Sequence, residues 1–169
     1  VEHSFPAFMD PATAGVGGIP ENSMADMARS QICRKLGVPL SQQTGLPAST
    51  AEFNQDCIAE MTWDFARLAT SSFDSFFGAG ITESGITFSP HALVYANELA
   101  SAARRTWRGV PVDEENLAVD KIKTVKSGMF IVDDHTTAHM RSGLWRGTYI
   151  RPLRGAPKDK DLAGRIDDH

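Results

Sequence analysis

The sequence predicts an α/β fold, a partial (β/α)8 barrel of about three β/α units followed by C-terminal helices. Three observations carry this prediction. Short apolar segments alternate with segments whose apolar residues recur at helical spacing. The segments that read as strands run on into loops, most clearly the glycine-punctuated one after Phe77, and loops in that place bind ligands in parallel α/β folds. Strand starts fall roughly 33–35 residues apart, close to the about 31 per unit of a ~250-residue barrel. Three parallel strands alone would leave apolar edges open, so the other sectors are expected from a longer chain or from other chains.

Taken in order, a first strand is predicted near Glu2–Phe5, with Phe8 to Asp10 at its C-terminal lip. The opening Val1-Glu-His-Ser-Phe5 looks like a chain entered partway through a strand. Pro11 to Pro20, with Gly15, Gly17 and Gly18, reads as a loop. From Glu21 to Leu36 the residues Met24, Ala28, Ile32 and Leu36 recur four apart and predict a helix burying that stripe, stopped by Gly37. Val38–Thr44 reads as the second strand, closed by Gly45-Leu-Pro47. A helix over about Glu52–Ala69 is predicted to bury Ile58, Met61, Phe65 and Leu68.

The stretch Ser71 to Phe88 reads as a third, aromatic-rich strand ending in a loop that carries one acid, Glu83. Ser89-Pro90 is a strong helix start, a hydroxyl cap followed by a residue with no amide to satisfy. That helix carries Leu93, Ala96, Ala100, Ala103 and Trp107 on one face and ends at Gly109. Asp113 is predicted to cap a helix running through Leu117, Ile122 and Val125 to Gly128. After the apolar run Met129–Val132, Asp133 or Asp134 caps a last helix through His139 toward Trp145. Residues 1–153 are thus expected to form one domain portion, and 154–169 a frayed polar tail.

Composition narrows the function. A formal net charge of −4 disfavours a general affinity for nucleic acid, which needs a concentrated basic surface. Arg104, Arg105 and Arg108 cluster at a predicted helix C-terminus, where cations suit the negative end of the dipole. Cys33 and Cys57 have no metal or redox spacing, which predicts reduced thiols in a cytoplasmic protein. No apolar run approaches a membrane span, so neither a membrane-embedded nor a secreted protein is expected.

Several stretches then resemble the trimethylamine methyltransferase family, which includes pyrrolysine-containing enzymes and relatives lacking that residue. The most specific is Gly109-Val-Pro-Val-Asp-Glu-Glu-Asn-Leu-Ala-Val-Asp-Lys-Ile122, followed by Gly128, His135-Thr-Thr-Ala-His-Met-Arg141 and Trp145. Ile19-Pro20-Glu21, Leu36-Gly37-Val38-Pro39, Gln55 and Gly80-Ile-Thr-Glu-Ser-Gly85 match in the same order. The likeness runs from Ser4 to about Leu153, as the C-terminal part of a longer family member. Where many members carry a TDxK…DxQ run, this chain has Pro47-Ala-Ser-Thr50 and Phe53-Asn-Gln55, and a member without pyrrolysine in this segment is expected.

The resemblance implies a TIM-barrel methyltransferase that moves a methyl group from a methylated amine to the cobalt of a corrinoid (cobalamin) carried by a partner protein. No cofactor held by this chain itself is expected, and no metal ligands. Such a reaction asks for a cationic amine aimed at the acceptor in a water-excluding space, with aromatic faces and a carboxylate around it. The candidates for substrate binding are Glu83, which also falls on the family's acid, Asp10 at the first lip, Gln43, Phe76 and Phe77. Against each stands a bland role: solvated loop charge for Glu83, capping for Asp10, core packing for the phenylalanines. Because side chains alternate, at most one of Phe76 and Phe77 faces inward.

Gln42 and Thr44, with Gln43, end the second strand and are candidates to meet the corrinoid rim or a substrate carboxylate. His135 and His139 stand four apart on one helix face, a spacing able to ligate zinc, but they are read as docking their helix by hydrogen bonds. Two other functions stay open: a noncatalytic barrel fragment that only binds or assembles with a partner, and a zinc hydrolase built on the two histidines.

Overall fold

A computed structural model describes residues 11–12, 19–43, 50–71, 73–140, 142–150 and 160–168, with Ile19 and Gln43 described by backbone alone. The predicted first strand lies outside the described residues. Within them the architecture is α/β: helix α1 (Ile19–Leu36), strand β1 (Ser41–Gln43), helix α2 (Gln55–Thr70), strand β2 (Ser75–Phe77) and helix α3 (Pro90–Trp107). β1 and β2 pair in parallel, with Ser41 opposite Ser75, Gln42 opposite Phe76 and Gln43 opposite Phe77. Parallel pairing across an intervening helix is the β-α-β arrangement that the spacing predicts.

The core forms where α2 meets α3. α2 contributes Cys57, Met61, Phe65 and Leu68, and α3 contributes Ala92, Tyr95, Ala96, Leu99 and Ala100. Burying a side chain such as Met61 or Phe65 is worth about 1.5–3 kcal/mol. Phe76 of β2 packs its ring edge-on against Phe65, centroids 5.6 Å apart, which places the helices over that face of the strand. Asn54 caps α2 by accepting the Cys57 amide at 3.0 Å, and Ser89 caps α3 by accepting the Ala92 amide at 3.2 Å. On α3 the predicted stripe is half correct. Ala96 and Ala100 are buried, while Leu93 and Trp107 are exposed and Tyr95 and Leu99 take their places.

α1 departs from expectation. The helix is present, and Gly37 at φ +65° ends it, letting the Val38 amide reach back to the Cys33 carbonyl at 2.9 Å. The stripe of Met24, Ala28, Ile32 and Leu36 is exposed, however, with Met24 at 69% and Leu36 at 68%. Asp26, Ser30 and Cys33 face inward instead.

The glycine loop after β2 also holds more structure than its composition suggests. Strands β3 (Ile81–Thr82) and β4 (Thr87–Phe88) pair antiparallel around a 3-10 turn at Glu83–Gly85. Gly80 is needed there twice over. Its φ is +83°, and a Cβ would stand 2.8 Å from both the Leu93 Cβ and the Phe88 ring.

The predicted single helix from Asp113 to Gly128 is two, α4 (Glu114–Leu117) and α5 (Val119–Thr124), broken by Ala118 at φ +45°. Asp133 caps α6 (Asp134–His139) by accepting the His135 amide at 2.9 Å. The Arg105 guanidinium spans both ends of this excursion, donating to the Gly109 carbonyl at 2.8 Å and the Gly143 carbonyl at 3.0 Å. The return segment docks on α3, where buried Glu98 accepts the amides of Tyr149 and Ile150 at 2.8 Å. The tail is not frayed throughout. Helix α7 (Leu162–Asp167) is capped by Asp161 and packs Leu162 and Ile166 against the core.

Among the described residues, no helix is long and apolar enough to cross a membrane.

Candidate functional site at the carboxyl ends of the parallel strands

Two loops leave the carboxyl ends of β1 and β2, and the structure ties them together. The Glu83 amide donates to the Thr50 carbonyl at 3.0 Å. The Thr82 hydroxyl, wholly buried, lies 3.2 Å from the Ala51 carbonyl and 2.7 Å from the Thr87 hydroxyl. A hydroxyl has one proton to give. With that proton on Ala51, the second bond is donated by Thr87. On the other side, the Thr50 hydroxyl accepts from the Glu52 amide and the Asn54 side chain, each at 3.0 Å. Since Asn54 caps α2, a continuous set of hydrogen bonds leads from that helix start to Glu83.

Glu83 and Ser84 occupy the left-handed region at φ +51° and +53°. Each costs of order 1–3 kcal/mol for a residue other than glycine, a strain that surrounding bonds must hold. The Glu83 carboxylate is partly exposed and takes no hydrogen bond or ion pair among the described residues. A carboxylate held by its backbone but left free at its oxygens suits a cationic ligand.

The other candidates are distributed as follows. Phe77 is 41% exposed, whereas Phe76 lies in the helix layer against Phe65, as alternation requires. Phe76 is therefore core packing rather than a wall of the ligand space. Gln42 shares the side of Phe76 and is fully buried, its amide donating to Asp26 at 2.7 Å and accepting from Arg29. Its polar atoms are engaged inside the helix layer. Gln43 is placed by register opposite Phe77. Asp10 and Thr44 lie outside the described residues.

The sequence reading missed a buried ionic network beneath β1. Asp26, 2% exposed, bonds Arg29 at 2.6 Å and also pairs with Arg67, which in turn reaches Asp64 at 3.0 Å. Burial lowers the Arg67 guanidinium to about 10, while its two carboxylate partners favour the charged form. The one signal available was an acid and a base three apart, Asp26 and Arg29, on a helix of weak apolar patterning.

His135 and His139 stack at 4.3 Å, with His135 Nε2 2.7 Å from the Glu115 carbonyl and His139 Nδ1 2.9 Å from the His135 carbonyl. The His135 bond docks α6 against α4, that of His139 stays within α6, and among the described residues no three His, Cys, Asp or Glu gather into a metal site.

A parallel β-α-β core with residues 50–51 tied to the loop after β2 makes this an α/β protein. Residues 5–150 match the family model described as trimethylamine methyltransferase (MTTB). The trimethylamine methyltransferase MttB of Desulfitobacterium hafniense is 34% identical over 131 residues, 77% of this chain and 26% of that protein. An MttB of Methanosarcina barkeri is 33% identical over 116 residues, 69% of this chain and 23% of its own length. MttB1 of Methanosarcina mazei is 35% identical over 96 residues, 53% of this chain and 19% of its own. The chain belongs to the trimethylamine methyltransferase family, and it spans about a quarter of the length of these relatives.

Proposed function

We propose that this chain is the C-terminal part of a (β/α)8-barrel methyltransferase, working in the cytoplasm, that moves a methyl group from a tertiary or quaternary methylated amine to the cobalt of a corrinoid on a separate protein. Family membership supports methyl transfer, and the parallel β1–β2 pair with its gathered loops supports the barrel. The observation that carries the site is Glu83, displayed at the strands' carboxyl ends with its oxygens unengaged among the described residues. The corrinoid, when presented, supplies a nucleophilic reduced metal as the methyl acceptor.

The chain's own part is to bind, aim and dry. As the C–N bond breaks, its electron pair stays on nitrogen and the amine leaves neutral, so a quaternary substrate needs no general base. A tertiary amine must carry a proton on nitrogen to leave as easily, and Glu83 stabilises that cation as it does a quaternary one. The exposed Phe77 adds an aromatic face, worth roughly 0.5–2 kcal/mol to a cation within about 6 Å.

The test is turnover. The complete enzyme, its reduced cognate corrinoid protein and trimethylamine or a quaternary methylamine should shift the corrinoid absorbance and release the demethylated amine in equal amount. Silence with every tertiary and quaternary methylamine tried overturns the proposal.

A further inference from the structure

We infer that Thr82 is a positioning residue of this site, a buried hydroxyl latch that holds the β1 and β2 loops together and thereby sets where Glu83 presents its carboxylate. The inference rests on the reading of Glu83 given above and adds what orients it.

Three observations converge on Thr82. It has no solvent exposure although it lies in a two-residue strand of a surface loop. Its hydroxyl joins two separate loops, through the Ala51 carbonyl on one side and Thr87 on the other. The next residue is Glu83, whose amide makes a parallel bond to Thr50 and whose backbone is held left-handed. Left-handed backbone at Glu83 and Ser84 does not persist unless neighbouring bonds hold it, and the Thr82 pair and the Glu83–Thr50 bond do that. Losing the hydroxyl leaves the Ala51 carbonyl and the half-buried Thr87 hydroxyl without the bond that joins the loops, and frees the turn to relax.

Thr82→Val keeps the branched shape and removes only the hydroxyl, and Thr82→Ser keeps the hydroxyl. In the complete enzyme, Thr82→Val is expected to raise KM for the amine roughly 3- to 10-fold with kcat little changed, because a displaced Glu83 weakens ground and transition states alike. Thr82→Ser should restore KM. Glu83→Gln should raise KM by itself, and adding Thr82→Val to it should change nothing further, since the latch acts through that carboxylate. Amide exchange gives a readout without turnover: Thr82→Val should speed exchange at Glu83 and leave α2 unchanged. Should Thr82→Val fold poorly, Thr87→Val removes one of the same bonds and should raise KM in the same direction.

Normal KM and exchange in Thr82→Val, alongside an impaired Glu83→Gln, would overturn the latch and leave the site reading standing. Additive effects would also overturn it. A Glu83→Gln enzyme with unchanged KM would remove Glu83 from the site, and this inference with it.

Discussion

Helices α1 and α2 both pack on the side of β1 and β2 that carries Gln42 and Phe76, yet one does so with charge and the other with hydrocarbon. α2 turns Cys57, Met61, Phe65 and Leu68 inward. α1 turns Asp26, Ser30 and Cys33 inward and shows Met24, Ile32 and Leu36 to the outside. The strand residues account for the difference. β2 offers Phe76 to the helices, and its register partner in β1 is Gln42, an amide that needs polar partners once buried. α1 supplies them as Asp26 and Arg29, and Arg67 of α2 pairs in turn with Asp26. A helix takes the chemistry of what it covers, whatever its own apolar residues.

The largest effect should come from removing the carboxylate at the centre of that network. Asp26→Ala leaves the Arg29 and Arg67 guanidiniums beneath β1 without their shared acceptor, and breaking a buried pair this way costs about 3–5 kcal/mol. Replacing Asp26, Arg29, Gln42 and Arg67 together by apolar residues of similar size should cost less than Asp26→Ala alone, because the one charge that then loses a partner, Asp64, is 26% exposed to water. Chemical unfolding of the two variants decides it. If the quadruple change is the worse, the network is held by more than its own pairing and the contrast between the helices is false.

What the sequence showed and hid follows from the same contrast. On α2 Met61, Phe65 and Leu68 are buried where the period put them, with Cys57 buried beside a half-buried Ile58, so period located most of the core. On α1 the apolar and the buried residues do not coincide. A repeat of four turns about 40° further round at each step, so Met24 and Leu36 stand roughly 120° apart, too spread for one seam. Asp26, Ser30 and Cys33 fall within about 60°, a tighter stripe that an apolar pattern cannot register because two of its members are polar. At the candidate site, the loop position of Glu83 beyond an aromatic strand was legible. Thr82 was not, because a threonine beside a glycine turn carries no sign that its hydroxyl will join a loop thirty residues earlier. The alternation of Phe76 and Phe77 was legible, but which of the two met the helices had to await the position of Phe65.

A middling effect should appear in alkaline solution and belong to α2. Burial in the apolar seam, with Glu60 nearby, pushes the Cys57 thiol from 9.0 up to about 11. The folded protein therefore keeps a proton between pH 9 and 11 that the unfolded chain gives up. Bound protons are then fewer in the unfolded state, so stability falls as pH rises through that window and the contribution is complete below pH 9. Arg67, lowered to about 10, acts with the opposite sign above that pH. Tyr95, raised from 10.0 by burial, acts with the same sign as the thiol, so the thiol's own share is the difference between the parent and Cys57→Ala from pH 9 to 10. Unfolding measured across that interval should decline less steeply in Cys57→Ala than in the parent, and equal slopes would mean that the seam admits water.

The smallest effect is expected on the outer face of α1. Met24 and Ile32, 69% and 58% exposed, give up little burial, so Met24→Gln and Ile32→Gln should each shift stability by no more than about 0.5 kcal/mol. Glutamine keeps helix propensity close to that of methionine, so the comparison reads burial rather than helix formation. Thermal unfolding of the complete enzyme is the measurement. A loss of about 2 kcal/mol at either position would show that this face is covered in the full-length protein. α1 would then be a two-sided helix, with charge toward β1 and hydrocarbon toward a neighbour, and its contrast with α2 would lie in the number of faces it buries.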